Sequence, residues 1–387
     1  MEKQLLTEPM PRDFSTAAYD EKDTIISSPT FWSILKKNRM AFMGFWIFAL
    51  FFIIAFVGLF LTYGNQPSCN PSMIRLEEAL LPPMTFSDSN IIEADRTPPF
   101  GIYLFGTDDL GRDIFSRMLQ GAWVSLTVGF VAVGISVIIG IIMGGIAGFY
   151  SEVRISVGML LVCLFIFAAI PLWAAGSDTI RIGIFISLLI LILIKLFFKN
   201  MPFLNIKTFS IDTLITGFVD IMLCFPSFFL ILTVVAILPA SIYNIMIVIG
   251  LTSWMGTARF VRAEFLSLKK LDFVTAAFAL GVGNIRIIFR HMMPNAVAPV
   301  LVSATIGIAS AILTEAGLSF LGFGVPPPYA TWGSILSDGK RFIFDAPWLT
   351  FIPGFAILIV VLCFNLFGEG LRDALNPKLR DKTNEKR

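Results

Sequence analysis

The sequence predicts an all-α, polytopic membrane protein. Of its 387 residues, 56% are hydrophobic and only 14% are charged, and the mean hydropathy is +0.81. A soluble domain of this length does not need so much apolar surface, so the composition favours a chain that crosses a membrane several times. Backbone groups in lipid must be hydrogen-bonded within their own segment, and each long apolar stretch is therefore expected to be a helix.

Eight apolar stretches are long enough to cross a bilayer, which requires about 20 residues. An even number of crossings puts both termini on the same side of the membrane. In chain order, the predicted spans are 41–62, 122–149, 155–175, 180–198, 211–238, 242–262, 296–321 and 348–368.

The distribution of basic residues predicts which side of the membrane the two termini occupy. If the N-terminus is inside, the inner segments contain 22 Lys and Arg residues and the outer segments contain seven. Because Lys and Arg are enriched in cytoplasmic loops, this bias predicts that both termini are cytoplasmic. We therefore expect cytoplasmic tails at 1–40 and 369–387, a first anchoring helix, and a transmembrane core over 122–368.

Two long connections are predicted on the outer side. Segment 63–121 has six prolines and eight acidic against four basic residues, which indicates an irregular loop without a core of its own. Segment 322–347 is the second outer loop and contains three consecutive prolines. Within the spans, Pro226 is expected to kink 211–238. The glycine stripe in 122–149 indicates close packing against another helix.

A polar island at 259–295 interrupts the apolar pattern and carries six basic residues. Inside it, residues 272–280 are predicted to form a helix about 14 Å long, which is too short to cross a bilayer. Asp272 is expected to cap the start of this helix, and Gly281 to end it in a left-handed conformation. A polar loop that presents a short apolar helix is typical of a docking element. The side chains expected on the exposed face are Phe273, Val274, Ala276, Ala277, Phe278 and Leu280.

Several classes of site are excluded by the residues present. The four cysteines form no CxxC pair and His291 is the single histidine, so the sequence supports neither a disulfide framework, nor a zinc site, nor a histidine-based metal centre. Gly339-Lys340 is followed by Arg341 rather than Ser or Thr, so the chain has no phosphate-binding loop of its own. No set of catalytic groups is recognisable, and the net charge of +2 gives no reason to expect nucleic acid as a partner.

Five strings in this order resemble the C-type permeases of dipeptide and oligopeptide ABC importers, which depend on a binding protein. The resemblance covers about 320 of the 387 residues. The strings are GTDDLGRDIFSRMLQGAWVSL (106–126), VDIMLCFPSFFL (219–230), the polar island with TAA (275–277) and RHMMPN (290–295), LTEAGLSFLGFGVPPPYATWGSILSDG (313–339), and FNLFGEGLRDALNPKLR (364–380).

The polar island is similar to the Glu-Ala-Ala loop of that family, in which a short cytoplasmic helix docks on an ATPase subunit. Thr275 stands where Glu is usual and cannot return a carboxylate to the helix start. The resemblance implies a set of ATPase-coupling residues, namely Asp272, Thr275, Ala276, Ala277, Gly281 and Pro294.

One stretch departs from the family. In the family, the helix that ends in GFY (148–150 here) runs almost directly into the helix that corresponds to VDIMLCFP. In this chain, residues 151–208 lie between the two. The departure predicts a six-helix core with an inserted two-helix hairpin. The hairpin is either a peripheral pair of helices that faces lipid, or a docking site for a partner or lipid.

The resemblance implies one permease subunit of an ATP-driven importer in the bacterial inner membrane, moving dipeptides or oligopeptides inward by alternating access. Implied partners are a second homologous permease, two ATP-binding cassette subunits that carry ATP and Mg, an extracytoplasmic substrate-binding protein, and membrane lipid. The same architecture also carries nickel, glutathione or oligosaccharide in related systems. A stand-alone secondary transporter or channel is the alternative from another class, but the inverted repeats it predicts are not visible.

Three residues in the spans are candidates for the translocation path or for gating: Asp220, Pro226 and Glu315. Charged groups are costly to bury in a membrane, so each carboxylate has either a functional or a structural reason to be there. For Asp220, the structural reading is a hydrogen bond near the cytoplasmic end of its span. Glu315 either lines the path or pairs with an arginine or a backbone amide, and the sequence leaves both open.

Overall fold

A computed structural model describes most of the chain. Tail 1–40 and the inserted hairpin lie largely outside the described residues, so the predictions made for them stay predictions. The described residues are 38–64, 67–88, 97–156 and 207–375, together with Lys36, Gly183 and Ser187.

Helices dominate the described residues. They are α1 (Arg39–Thr62), α2 (Ile114–Phe149), α3 (Ile211–Leu223), α4 (Ser227–Ile237), α5 (Ile242–Leu268), α6 (Asp272–Ala279), α7 (Met293–Phe320), α8 (Trp332–Gly339) and α9 (Trp348–Leu375). In this part of the chain, five helical segments are long and apolar enough to cross a membrane: α1, α2, α5, α9 and the run Asn284–Phe320 that ends in α7. The pair α3 and α4 adds a sixth if it is counted as one bent span.

Several predicted boundaries are wrong. α2 begins at Ile114 rather than at 122, because the Asp113 carboxylate accepts hydrogen bonds from the backbone N–H groups of Phe115 and Ser116, at 3.2 and 3.1 Å. The first outer connection therefore ends at Asp113 and not at 121. α5 and α9 likewise continue past their predicted ends. The predicted outer loop 322–347 contains the helix α8.

The predicted span 155–175 does not begin as a helix. Residues Arg154–Ser156 form strand β3 and pair antiparallel with strand β4, Lys207–Ser210. A second antiparallel strand pair, earlier in the chain, consists of β1 (Thr85–Phe86) and β2 (Ile102–Tyr103).

The span predicted at 211–238 is broken at Pro226, as expected. α3 and α4 meet at an angle of 81°, with Pro226 immediately before the first residue of α4. Proline has no N–H to donate and its ring clashes with the preceding turn, so a helix does not continue straight through it. The kink is confirmed, and it is large enough to make two helices.

The central contact of the bundle is between α2 and α5, where glycine allows the two backbones to approach. A Cβ on Gly148 would lie 2.6 Å from the Phe265 Cβ, and one on Gly140 would lie 2.6 Å from the Thr257 Cβ. No side chain fits into that space, which confirms that the glycine stripe serves helix packing.

α1 lies at the periphery and packs on α9. The Phe48 ring contacts the rings of Phe364 and Phe367 at centroid distances of 5.0 and 5.5 Å. The Asn38 amide is 3.4 Å from the Asp373 carboxylate. The start of α1 and the end of α9 therefore meet at one end of the bundle.

The outer connection has more internal order than the sequence predicted. Its regular elements are short, but the Glu78 carboxylate is buried and accepts hydrogen bonds from the Tyr103 hydroxyl and from the backbone N–H of Asp88, the latter at 2.8 Å. Burial raises the pKa of the Tyr103 phenol, and the hydrogen bond to Glu78 raises it further. A buried polar centre thus fixes a segment that was expected to be irregular throughout.

Candidate functional site

The polar island folds as the sequence predicted in outline. α6 follows α5 after a three-residue turn and extends over Asp272–Ala279. Leu271 occupies the capping position and makes no side-chain hydrogen bond, so the expectation that Asp272 caps the helix is wrong. Asp272 is instead the first helical residue, where its negative charge is favoured by the positive end of the helix dipole.

The C-terminal end of α6 is a Schellman motif. Gly281 has a φ of +74°. Its N–H donates to the Phe278 carbonyl at 3.0 Å, and the N–H of Val282 donates to the Ala277 carbonyl at 3.1 Å. A left-handed residue in this position favours glycine, which confirms the prediction for Gly281.

The face of α6 that packs against the bundle is not the one predicted. Val274 and Ala277 were placed on the exposed side, but both are buried and pack in one cluster with Val261 and Phe265 of α5 and Phe149 of α2. The two positions are three residues apart and so share one helical face. Ala277 therefore seats α6 on its own chain and is not free to touch a partner from this position.

The opposite face of α6, which points away from the bundle, is apolar and exposed. Leu280 is 83% exposed, and Phe273 and Ala276 are exposed beside it. Thr275 is also exposed, and its hydroxyl donates to the Asp272 carbonyl at 3.0 Å. Basic side chains are exposed around this face: Lys270, Arg286 and Arg290.

Pro294 was expected to set the angle at which the polar island re-enters the membrane, but the chain is already helical before it. It lies within the continuous helical run Asn284–Phe320. The preceding residues, Ile287–Met292, form a π-helical turn. A wider turn before proline accommodates a residue that cannot donate to the ladder. The loop predicted at 259–295 therefore ends at Gly283.

Ion pairs connect α3 to the first residues of the polar island, which belong to α5. The Arg262 guanidinium donates to both carboxylate oxygens of Asp212, with Nη2 to Oδ2 at 2.6 Å. Arg259 pairs with Asp220 in a more exposed position. Asp220 is thus tied to α5, in agreement with the structural reading of that residue.

Glu315 is completely buried between α2, α7 and the segment that begins α8. Its carboxylate accepts from the Ser319 hydroxyl at 2.7 Å and lies 3.5 Å from the Ser125 hydroxyl. The Thr331 hydroxyl is a further partner. The Trp332 N–H donates to Ser125 at 3.3 Å. Among the described residues, the partners found for Glu315 are hydroxyl groups, rather than the arginine or backbone amide that the sequence suggested as one alternative.

A charged network that sequence reasoning missed joins α2 to α8 at the end of the bundle that the basic residues predict to be the outer one. The buried Asp108 carboxylate accepts from Arg112 Nε at 2.6 Å and from Arg117 Nη1 at 2.5 Å. Both guanidinium groups also reach Asp338 on α8, at 3.3 and 2.8 Å. The signal was present in the string GTDDLGRDIFSR, which contains both arginines, but its link to Asp338 is a tertiary contact.

The network borders a cleft of about 860 Å³ at the outer end. Arg112, Asp109 and Asp338 line it together with the prolines 326–328. Burial raises the pKa of Asp109, and the carboxylates of Asp108 and Asp338 raise it further. Among the described residues, no group of three or more His, Cys, Asp or Glu side chains could hold a metal ion.

Comparison with known proteins agrees with this architecture. Residues 205–381 match the family described as binding-protein-dependent transport system inner membrane component. Residues 29–83 match the N-terminal TM domain of oligopeptide transport permease C. The dipeptide transport system permease protein DppC of Alkalihalophilus pseudofirmus is 37% identical over 89% of this chain and 88% of its own length. The chain belongs to this family of transport permeases.

Two further relatives extend the match. The oligopeptide transport system permease protein OppC of Bacillus subtilis is 32% identical over 89% of this chain and 88% of its own length. The dipeptide transport system permease protein DppC of Haemophilus influenzae is 33% identical over 90% of this chain and 94% of its own. This permease is therefore a multi-pass, non-catalytic subunit of the inner membrane that works with the other components of an ABC transport system.

Proposed function

We propose that this permease is one of two paired membrane subunits of an ATP-driven importer, and that it moves dipeptides or oligopeptides inward by alternating access. The observation that carries the proposal is α6, a short helix that packs against the bundle on one face. Its other face is exposed, and Leu280 beside it is 83% exposed. The peptide substrate is supported by the names of the relatives, which are dipeptide and oligopeptide permeases.

The proposed assembly has four kinds of component. This chain pairs with a second homologous permease, two ATP-binding cassette subunits bind ATP and Mg on the inner side, and an extracytoplasmic protein delivers substrate to the outer loops. Membrane lipid surrounds the helices, and nucleic acid has no part. Both termini are proposed to be cytoplasmic, which the bias of 22 basic residues to seven and the contact between Asn38 and Asp373 support.

The proposed membrane core has six helices, and the inserted hairpin adds two for a total of eight. The five or six spans of the described residues account for the core. The pairing of β3 with β4 brings the two ends of the insertion together, as a hairpin that returns to its starting side requires.

Coupling in this proposal passes through rigid contacts. When partner ATPase subunits close on α6, its buried residues Val274 and Ala277 move α5, because they pack against Val261 and Phe265. α5 then moves α3 through the pair Arg262–Asp212. α3 leads into the break at Pro226, a natural position for a hinge in the span. Substrate shifts this cycle only if it binds the two states with different affinity.

The test is recovery of the complex and its activity with a substitution on α6. Leu280→Glu puts a charge on the most exposed apolar side chain of the proposed docking face. Loss of an interface hot spot costs about 2 kcal/mol or more, which corresponds to roughly a 30-fold loss of affinity. We expect the tagged variant to insert normally but to lose its ATPase subunits and peptide uptake in liposomes. Phe344→Glu is the matched control, because Phe344 is 96% exposed in the outer loop.

Three outcomes would overturn parts of the proposal. Normal uptake by Leu280→Glu in a reconstituted complex would remove α6 as the docking element. Recovery of the wild-type chain alone, with uptake independent of ATP, would favour a secondary transporter. Uptake of nickel, glutathione or an oligosaccharide instead of peptides, by the ATP-dependent complex, would keep the architecture and replace the substrate.

A further inference from the structure

The base of the inserted segment forms a surface that the proposed function does not yet use. We call this surface, residues 150–156 and 207–212, the inner clasp. Ile155 lies opposite Phe209 in the β3–β4 pair, and the Ile211 N–H donates to the Val153 carbonyl at 3.0 Å. The Ser210 hydroxyl then caps α3 by accepting from the Thr213 N–H at 3.0 Å. The clasp is therefore continuous with a transmembrane helix.

The clasp is fastened to the elements on both sides of α6. Arg262, six residues before the end of α5, holds Asp212 through two hydrogen bonds. Lys269 Nζ, just before α6, is 3.3 Å from the Glu152 carboxylate. The Phe149 ring, next to the clasp, stacks on Phe278 of α6 at a centroid distance of 5.8 Å. The clasp and α6 therefore belong to one continuous inner surface.

This surface exposes apolar side chains next to charged ones. Val153 is 48% exposed and Phe209 is 41% exposed, although both lie in or beside a hydrogen-bonded strand. Glu152, beside Val153, has a side chain that is 87% exposed. Arg154, on the other side of Val153, is exposed as well, so the charges around the apolar side chains are of both signs. Exposed apolar groups with a rim of mixed charge are typical of a contact with another protein.

We propose that the inner clasp is a second contact for the ATP-binding subunit that docks on α6. The inference rests on the proposed function, because the same partner is invoked, and on the continuity of the two surfaces. A partner that contacts only the eight residues of α6 has a single small contact, whereas a second contact at Val153 and Phe209 fixes the orientation of the partner on this surface. The insertion thereby adds to the docking surface instead of only adding two helices to the membrane part.

The test is site-specific photo-crosslinking in the complex purified from membranes. A photo-reactive phenylalanine analogue is placed in separate variants at Val153, Phe209, Leu280 and Phe344. Crosslinked subunits are identified by mass spectrometry, and an ATPase is recognised by its own phosphate-binding loop sequence. Leu280 reports on α6, and Phe344 is the exposed control at the outer end. We expect crosslinks to the ATPase from Val153, Phe209 and Leu280, and none from Phe344.

The outcomes separate the two proposals. Crosslinks to the ATPase from Leu280 but only to lipid, or to nothing, from Val153 and Phe209 would overturn the clasp contact and leave the proposed function intact. No crosslink from Leu280 either would overturn both. As a second measurement, the double variant Val153→Glu, Phe209→Glu is expected to weaken ATPase association about tenfold while the chain still inserts. Unchanged association would contradict the clasp contact.

Discussion

The two ends of the helical bundle hold their charges in different ways. At the outer end, the side chains of Arg117 and Asp108 are only 4% and 0% exposed, and both are fixed by further polar contacts. At the inner end, the side chains of Arg259 and Asp220 are 54% and 62% exposed. A buried pair has a high cost if one partner is removed, whereas an exposed pair contributes little.

The apolar residues follow the same division. Trp332 of α8, at the outer end, is buried and its ring N–H donates to the Met118 carbonyl at 3.2 Å. Leu280 and Phe273, at the inner end, remain exposed, at 83% and 41%. The difference teaches that the outer end is completed by contacts within the chain, while the inner end leaves an apolar face open, as the proposed docking of an ATPase on α6 requires.

The largest effect expected is at the outer end. Arg117→Ala leaves the buried Asp108 carboxylate and the Asp338 carboxylate on α8 with one guanidinium, that of Arg112, instead of two. Breaking a buried ion pair costs about 3–5 kcal/mol, so we expect a large drop in the unfolding temperature of the permease in detergent. Arg259→Ala at the inner end is the matched control. Equal losses of stability in the two variants would contradict the contrast between the ends.

The second prediction separates the two faces of α6. Ala277→Leu adds bulk to a packed cluster and is expected to destabilise the permease by about 1–3 kcal/mol. Ala276→Leu places the same side chain on the exposed face, so stability should be unchanged while recovery of the ATPase subunits falls. Thermal unfolding and co-purification, measured on both variants, check this. Equal unfolding temperatures would mean that Ala277 is not seated in the cluster.

A smaller effect is expected at the end of α6. Gly281 has a φ of +74°, and a Cβ there would meet nothing within 4 Å, so Gly281→Ala introduces backbone strain alone, about 1–2 kcal/mol. Gly281→Asn should cost less, because asparagine tolerates this conformation better. Gly283, with a φ of −63°, is the control. If Gly283→Ala weakens ATPase binding as much as Gly281→Ala, the left-handed turn is not what positions α6.

The sequence predicted the features that depend on local chemistry. Hydropathy located the spans that fall within the described residues, Pro226 located the break between α3 and α4, and glycine at 281 predicted the left-handed end of α6. Each of these follows from the properties of one residue or one continuous stretch, so no knowledge of the neighbours in space was needed.

Features that depend on tertiary contacts were missed. Val274 and Leu280 are both apolar, and only the position of Phe265 and Val261 on α5 decides that Val274 is the buried one. Likewise, the contact between Arg117 and Asp338 was missed, because the two residues are 221 positions apart in the chain. The π-helical turn before Pro294 has no sequence pattern of its own. These contacts determine the docking face and the outer network.

The smallest effect is expected for Asp220, and it sharpens the contrast between the two ends most directly. Because the pair with Arg259 is more than half exposed, Asp220→Asn should change stability by only about 0–1 kcal/mol. If Asp220 serves only to tie α3 to α5, peptide uptake per ATP hydrolysed should also remain near the wild-type value in liposomes. Loss of uptake at unchanged stability would instead assign Asp220 to the translocation path, and the inner end would then combine a docking face with part of the gate.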